Sequence, residues 1–109
     1  MIRVLVVDDH ELVRSGITRM LADNPDIEVI GEASSGEDAI DSVRKDSPDI
    51  VLMDIRMPGI GGLEATRRIL RIDDAVRVIV VTACADDPYP TRVMQAGASA
   101  YITKGADIK

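Results

Sequence analysis

At 109 residues the chain has room for one domain and a real core, not for two domains, and with no Trp or Phe that core must come from Val, Ile, Leu, Ala and Met. The 46% hydrophobic and 29% charged residues are those of a soluble globular protein; no stretch nears the roughly 20 apolar residues of a membrane span, and Met1-Ile2-Arg3 leads straight into a strand pattern, so a cytoplasmic protein without signal peptide or membrane contact is expected. A net charge of −6 disfavours direct contact with nucleic acid, and the single Cys84, which cannot form an intrachain disulfide, reads as a small, at least half-buried thiol.

Short apolar runs alternate with helical patterns from end to end. The first strand, near 2–7, ends at Asp8-Asp9, and the helix after it, near 10–23, carries Leu12, Val13, Ile17, Met20 and Leu21 as one apolar stripe. A strand near 27–33 follows; Ser35, three residues before Asp38, then reads as the N-cap of a helix near 36–45. The third strand, near 49–53, runs Ile50-Val51-Leu52-Met53 into Asp54. After it come a loop rich in glycine and a helix near 61–72 with Leu63, Thr66, Ile69 and Leu70 at helical spacing. A strand near 76–81, a helix near 88–97 stopped by Gly97, and a strand near 99–103 complete the pattern. Alternating βα units imply a parallel sheet with right-handed crossovers.

In such a sheet, if the first and third strands are neighbours, Asp8, Asp9 and Asp54 meet at one carboxyl edge. The plainer alternative is that Asp8 or Asp9 caps the first helix, since Asp suits an N-cap and the helix dipole. Two adjacent acids repel, however, and one cap needs only one of them, so a shared cation accounts better for the pair. Clustered carboxylates are a site for a hard divalent cation and phosphoryl chemistry. Magnesium fits better than calcium, for which no Asp-x-Asp-x-Asp-Gly loop exists. Thr82 and Lys104 end the last two strands at the same edge, where a hydroxyl and an ammonium can meet phosphate oxygens; taken singly they would be an ordinary strand end and a solvated lysine. His10, the only histidine, reads as a surface residue beside the acids, and Met57 as filler.

Val7-Asp8-Asp9-His10, Met53-Asp54, Met57-Pro58-Gly59-Ile60-Gly61-Gly62, Thr82-Ala83 and Tyr101-Ile102-Thr103-Lys104 together resemble the receiver domain of two-component response regulators, over the whole chain. The run from Asp8 through Arg14 to Gly16 is similar to the NarL/FixJ branch. This resemblance implies a doubly wound, flavodoxin-like α/β fold with five parallel strands in the order 2-1-3-4-5. It implies that Asp54 is the phosphoacceptor, taking a phosphoryl group from a sensor histidine kinase or a histidine phosphotransfer domain. Magnesium would be held by Asp9, Asp54 and the backbone carbonyl of Arg56, with Asp8 acting through water. Lys104 would grip the phosphoryl group, and Thr82, Ala83 and Tyr101 would complete the phosphoryl-binding and switch set. Such a domain is no enzyme beyond accepting and slowly losing its own phosphoryl group, and it serves signal transduction with a transcription-regulating output. Gly105 stands where many receivers have Pro, which argues against a cis peptide there.

Three other classes fit less well. An aspartyl-nucleophile phosphatase resembles Asp-x-Asp-x-Thr after the first strand, against Asp8-Asp9-His10 here; a nucleotide-binding module needs a glycine-rich turn after that strand; a pseudo-receiver acting only as an interaction module would lack one of the five chemical positions. Relative to the resembled fold the last helix is expected to be missing or truncated at Lys109, and a C-terminal DNA-binding domain absent. Apolar side chains of the later strands, such as Tyr101 or Ile102, and the flank of the first helix should then be exposed, favouring a homodimer or a swapped assembly, or lowering stability.

Overall fold

Val and Ile dominate the strand segments, and β-branched side chains suit a pleated surface covered on both sides. The computed structural model describes residues 1–55, 57–82 and 89–103, with the side chains of Thr82, 89–91 and Thr103 left aside. In chain order it has β1 (Ile2–Val7), α1 (Glu11–Ala22), β2 (Ile27–Ala33), α2 (Gly36–Asp46), β3 (Ile50–Met53), α3 (Gly61–Ile72), β4 (Arg77–Thr82), α4 (Tyr89–Gln95) and β5 (Ala100–Thr103). All strands pair in parallel, in the order β2-β1-β3-β4-β5. This is the doubly wound, flavodoxin-like arrangement expected from the sequence. The order reverses between β1 and β3, and a crevice opens outside the carboxyl ends of strands at such a reversal.

Register fixes the core. Leu5, Val51 and Val78 lie level across three strands, and Val7, Met53, Val80 and Tyr101 form the next level across four. This face packs against Ala39, Ile40 and Val43 of α2 and Ala65 and Ile69 of α3, with Tyr101 half-buried against it. Of the two β5 residues named for exposure, Tyr101 is turned toward the core, whereas Ile102, one residue on and on the opposite face, is exposed as expected.

The stripe on α1 is divided, and its outer flank is exposed as expected. No residue of α1 is buried; Leu12 is 88% and Met20 74% exposed, while Ile17 and Leu21 are half-buried. The five apolar residues span two neighbouring rows of the helix, about 100° apart. The row through Ile17 and Leu21 is the better covered, and the row Leu12-Gly16-Met20 looks outward; a Cβ added at Gly16 would meet nothing within 4 Å. On α3 the stripe does face the core, with Thr66 and Ile69 buried and the Thr66 hydroxyl donating to the Gly62 carbonyl at 2.8 Å.

Helix ends follow local chemistry. Ser35 Oγ accepts the Asp38 N–H at 3.1 Å, as an N-cap should, and Gly97 takes φ +104 after α4. On the outer face of α3 the Glu64 carboxyl lies below its ordinary range because Arg68 donates to it; partial burial opposes this and Arg67 adds to it. That contribution to stability is present above the unfolded carboxyl's pKa and is lost as pH falls through the lowered value. Among the described residues no helix is long and apolar enough to cross a membrane.

The contrast between the two helices is measurable by urea denaturation. Ile69→Ala is expected to cost about 2–5 kcal/mol, because a fully buried side chain leaves a cavity. Leu12→Ala should stay within about 0.5 kcal/mol. Equal losses would mean that the outer row of α1 is covered after all.

Candidate metal centre

The adjacent strands β1 and β3 bring the acids together. Val7 pairs with Met53, so the next residues, Asp8 and Asp54, leave the sheet side by side. Each is anchored by a bond that prolongs the ladder: the Asp8 N–H donates to Ala33 and the Asp54 N–H to Val7, both at 3.0 Å. Asp8 is 1% and Asp54 4% exposed, and Asp9 is partly exposed. One ligand atom each from Asp8, Asp9, His10 and Asp54 lies within 4.8 Å of all the others.

Capping does not account for the pair. The N-cap of α1 is His10, whose side chain makes no cap bond, and the Asp8 Oδ1 accepts the His10 N–H at 2.9 Å just ahead of the helix. Asp9 Oδ1 is shielded from solvent and accepts no hydrogen bond; His10 Nδ1 lies 3.0 Å from it without making one. A buried carboxylate oxygen that accepts no hydrogen bond is costly, and carboxylates this close repel one another. A divalent cation would relieve both, and the oxygen donors suit magnesium. The His10 side chain is exposed, on the rim of the cluster, as expected for a surface residue.

The loop after Asp54 is shaped by close approach as well as by turns. Gly59 and Gly61 have φ of +79 and +78. Gly62 does something else: a Cβ there would overlap the Asp54 carbonyl oxygen and come within 2.7 Å of Ile55 Cα. Helix α3 thus starts pressed against the peptide that carries Asp54, and the Gly62 N–H closes the loop on the Ile55 carbonyl at 2.9 Å. The sequence marks this loop as turn-rich but not this contact.

Of the other expected site residues, Arg56, Ala83 and Lys104 lie outside the described residues, as do Cys84 and Gly105. Thr82 ends β4 at the same carboxyl edge, paired with Thr103. Tyr101 lies on β5 level with Val80. Arg14 and Glu32 carried no expectation, yet Arg14 Nη1 donates to the Asp8 carbonyl at 2.7 Å and Nε to Glu32 at 2.9 Å. The available signal was that helical side chains lean toward the helix N-terminus, which carries residue 14 back over the β1–α1 loop. Two open clefts, of about 390 Å³ beside Arg14 and Glu32 and about 380 Å³ between α2 and α3, are not lined by Asp54.

A family model described as the response regulator receiver domain matches residues 4–109. Response regulator GacA of Pseudomonas aeruginosa is 61% identical over 109 residues, which cover 100% of this chain and 51% of that protein. Response regulator UvrY of Escherichia coli (strain K12) is 58% identical over 106 residues, 97% of this chain and 49% of that protein. The chain therefore spans about half the length of these relatives. Among solved structures, a two-component response regulator of the LuxR family from Aurantimonas sp. SI85-9A1 matches with a TM-score of 0.93 and 40% identity, over 96% of this chain and 75% of that one.

The Gly62 contact predicts that Gly62→Ala costs about 1–3 kcal/mol by urea denaturation, as overpacking does, and displaces Asp54. Gly16→Ala, in open space on an exposed helix, should be neutral or stabilising by up to about 1 kcal/mol. Equal effects would show that α3 yields freely at its start.

Proposed function

The chain belongs to the response regulator receiver domain family, of two-component signal transduction, and on that premise we propose that Asp54 is its phosphoacceptor. The observation that carries the proposal is the cluster itself: a buried carboxylate at the end of a core strand, within 4.8 Å of ligand atoms from Asp8 and Asp9. The Asp54 carboxylate attacks the phosphorus of a phosphohistidine on a sensor histidine kinase or phosphotransfer domain. An O–P bond forms, the N–P bond breaks, and the histidine leaves as the neutral imidazole once protonated.

Asp9, Asp54 and the Arg56 carbonyl would hold magnesium, with Asp8 acting through water; the ion supplies charge neutralisation between the carboxylates and the phosphoryl oxygens. Burial of Asp54 restricts water around the acyl phosphate. Lys104 would pair with the phosphoryl oxygens, and Thr82, Ala83 and Tyr101 would complete the phosphoryl-binding and switch set. Phosphorylation adds about −1.5 to −2 charge at one point of this edge, enough to bias a packed element between two arrangements. Residues 1–109 act as the receiver, and the regulated output, transcription, belongs to the part of such regulators beyond the matched segment.

Incubation with a small-molecule phosphoryl donor and magnesium should add one phosphoryl group, mapped by mass spectrometry to Asp54. Asp54→Asn should remain folded and accept none, and native-rate labelling of that variant at another residue would remove Asp54 from the role. Asp9→Asn should lose both uptake and its magnesium dependence. Undiminished labelling of wild type in excess chelator would exclude the metal. A folded wild type that takes up no phosphoryl group from any donor would instead be a pure interaction module.

A further inference from the structure

The placement of Asp8 and Asp9 depends on a contact outside the carboxylate cluster. Arg14 Nη1 donates to the Asp8 carbonyl oxygen at 2.7 Å, and its Nε donates to Glu32 Oε1, on β2, at 2.9 Å. The Arg14 side chain is only 17% exposed, and its bond to the Asp8 carbonyl is partly shielded from water, whereas Glu32 stands at the surface. On its other side the Asp8 residue is held by its N–H, which donates to the Ala33 carbonyl of the same edge strand at 3.0 Å. The carbonyl that Arg14 grips belongs to the peptide joining Asp8 to Asp9. Fixing its direction fixes the rotation of that peptide, and so the direction in which the Asp9 side chain leaves the backbone. Asp9 is also the acid whose Oδ1 is buried without a hydrogen-bond partner.

We propose that Glu32 and Arg14 form a brace that positions Asp9 for a divalent cation, with both acting as positioning residues and neither as a ligand. The inference rests on the reading of Asp8, Asp9 and Asp54 as a metal centre. Arginine suits the task because its planar fork holds two acceptors at fixed spacing, which the single nitrogen of lysine does not. Two effects of Arg14 on the centre have opposite signs, and this makes the brace testable. As a nearby positive charge Arg14 repels a dication, so its removal by electrostatics alone would tighten binding. As a brace it holds Asp9 in place, so its removal weakens binding. Loss of an oriented partner behind a ligand typically costs about 10–100-fold in metal affinity, which outweighs the screened repulsion of one guanidinium already paired with Glu32.

The measurement is magnesium affinity of the full chain by isothermal titration calorimetry, without phosphoryl donor, with circular dichroism to confirm folding. Arg14→Ala is expected to weaken binding about tenfold or more. Arg14→Lys, which keeps the charge and loses the fork, should weaken it as well, and serves alone if the alanine variant does not fold. Glu32→Ala should weaken binding by a smaller factor and add nothing in the Arg14→Ala background, because it acts only through Arg14. Glu32→Gln, which keeps an accepting oxygen, should bind more nearly as wild type does. Unchanged or tighter binding by both Arg14 variants, or losses that multiply in the double variant, would overturn the brace. Asp9→Asn separates this from the reading beneath it. If that variant loses the cation and the Arg14 variants do not, only the brace fails; if it binds as wild type does, the metal centre fails and the brace with it.

Discussion

Mutual repulsion among three carboxylates is the constraint around which this domain is built. With ligand oxygens within 4.8 Å of one another, each negative charge at this edge disfavours the next. The strands carrying the acids are accordingly among the most deeply buried parts of the molecule. Leu5, Val6, Val7, Val51 and Met53 are all nearly inaccessible, and full burial of such side chains contributes about 1.5–3 kcal/mol each. The apolar strands hold the charges at the sheet edge; the edge would not hold itself.

Containment is achieved mostly through the main chain. Asp8 is fixed by its N–H on Ala33 and its carbonyl under Arg14, and Asp54 by its N–H on Val7. Behind Asp54, the missing side chain of Gly62 lets α3 begin against its carbonyl. These contacts set where the carboxylates stand without consuming the Asp9 oxygen that faces inward. The same logic accounts for His10 as an N-cap without a cap bond: Asp8, two residues earlier, accepts its backbone N–H, and the helix gives up one favourable contact at its start.

Much of this was legible in the sequence, for a physical reason. A parallel sheet covered on both faces writes its strands as unbroken apolar runs, so Val4-Leu5-Val6-Val7 and Ile50-Val51-Leu52-Met53 were visible, and the acid ending each run was conspicuous. Resemblance to the receiver family supplied the strand order, which local pattern does not contain. What stayed hidden is tertiary. Which of two adjacent rows on α1 meets the sheet depends on how the helix lies, not on its composition, and so the stripe alone did not separate Leu12 and Met20 from Ile17 and Leu21. The Arg14–Glu32 pair spans 18 residues and joins a helix to an edge strand. Gly62 looked like one more turn glycine because close approach leaves no mark that differs from flexibility.

The register also decides how a change at Asp54 can reach the rest of the fold. Met53, the residue before it, lies level with Val7 on one side and with Val80 and then Tyr101 on the other, so one row of packed side chains crosses four strands directly beneath the charged edge. Interiors at this density do not deform smoothly; a shift at one end is either absorbed locally or passed on as a discrete repacking. Three members of the row, Val7, Met53 and Val80, are almost fully buried and have no room to absorb it, whereas Tyr101 is half-buried. The aromatic side chain at the end of the row is therefore its least enclosed member.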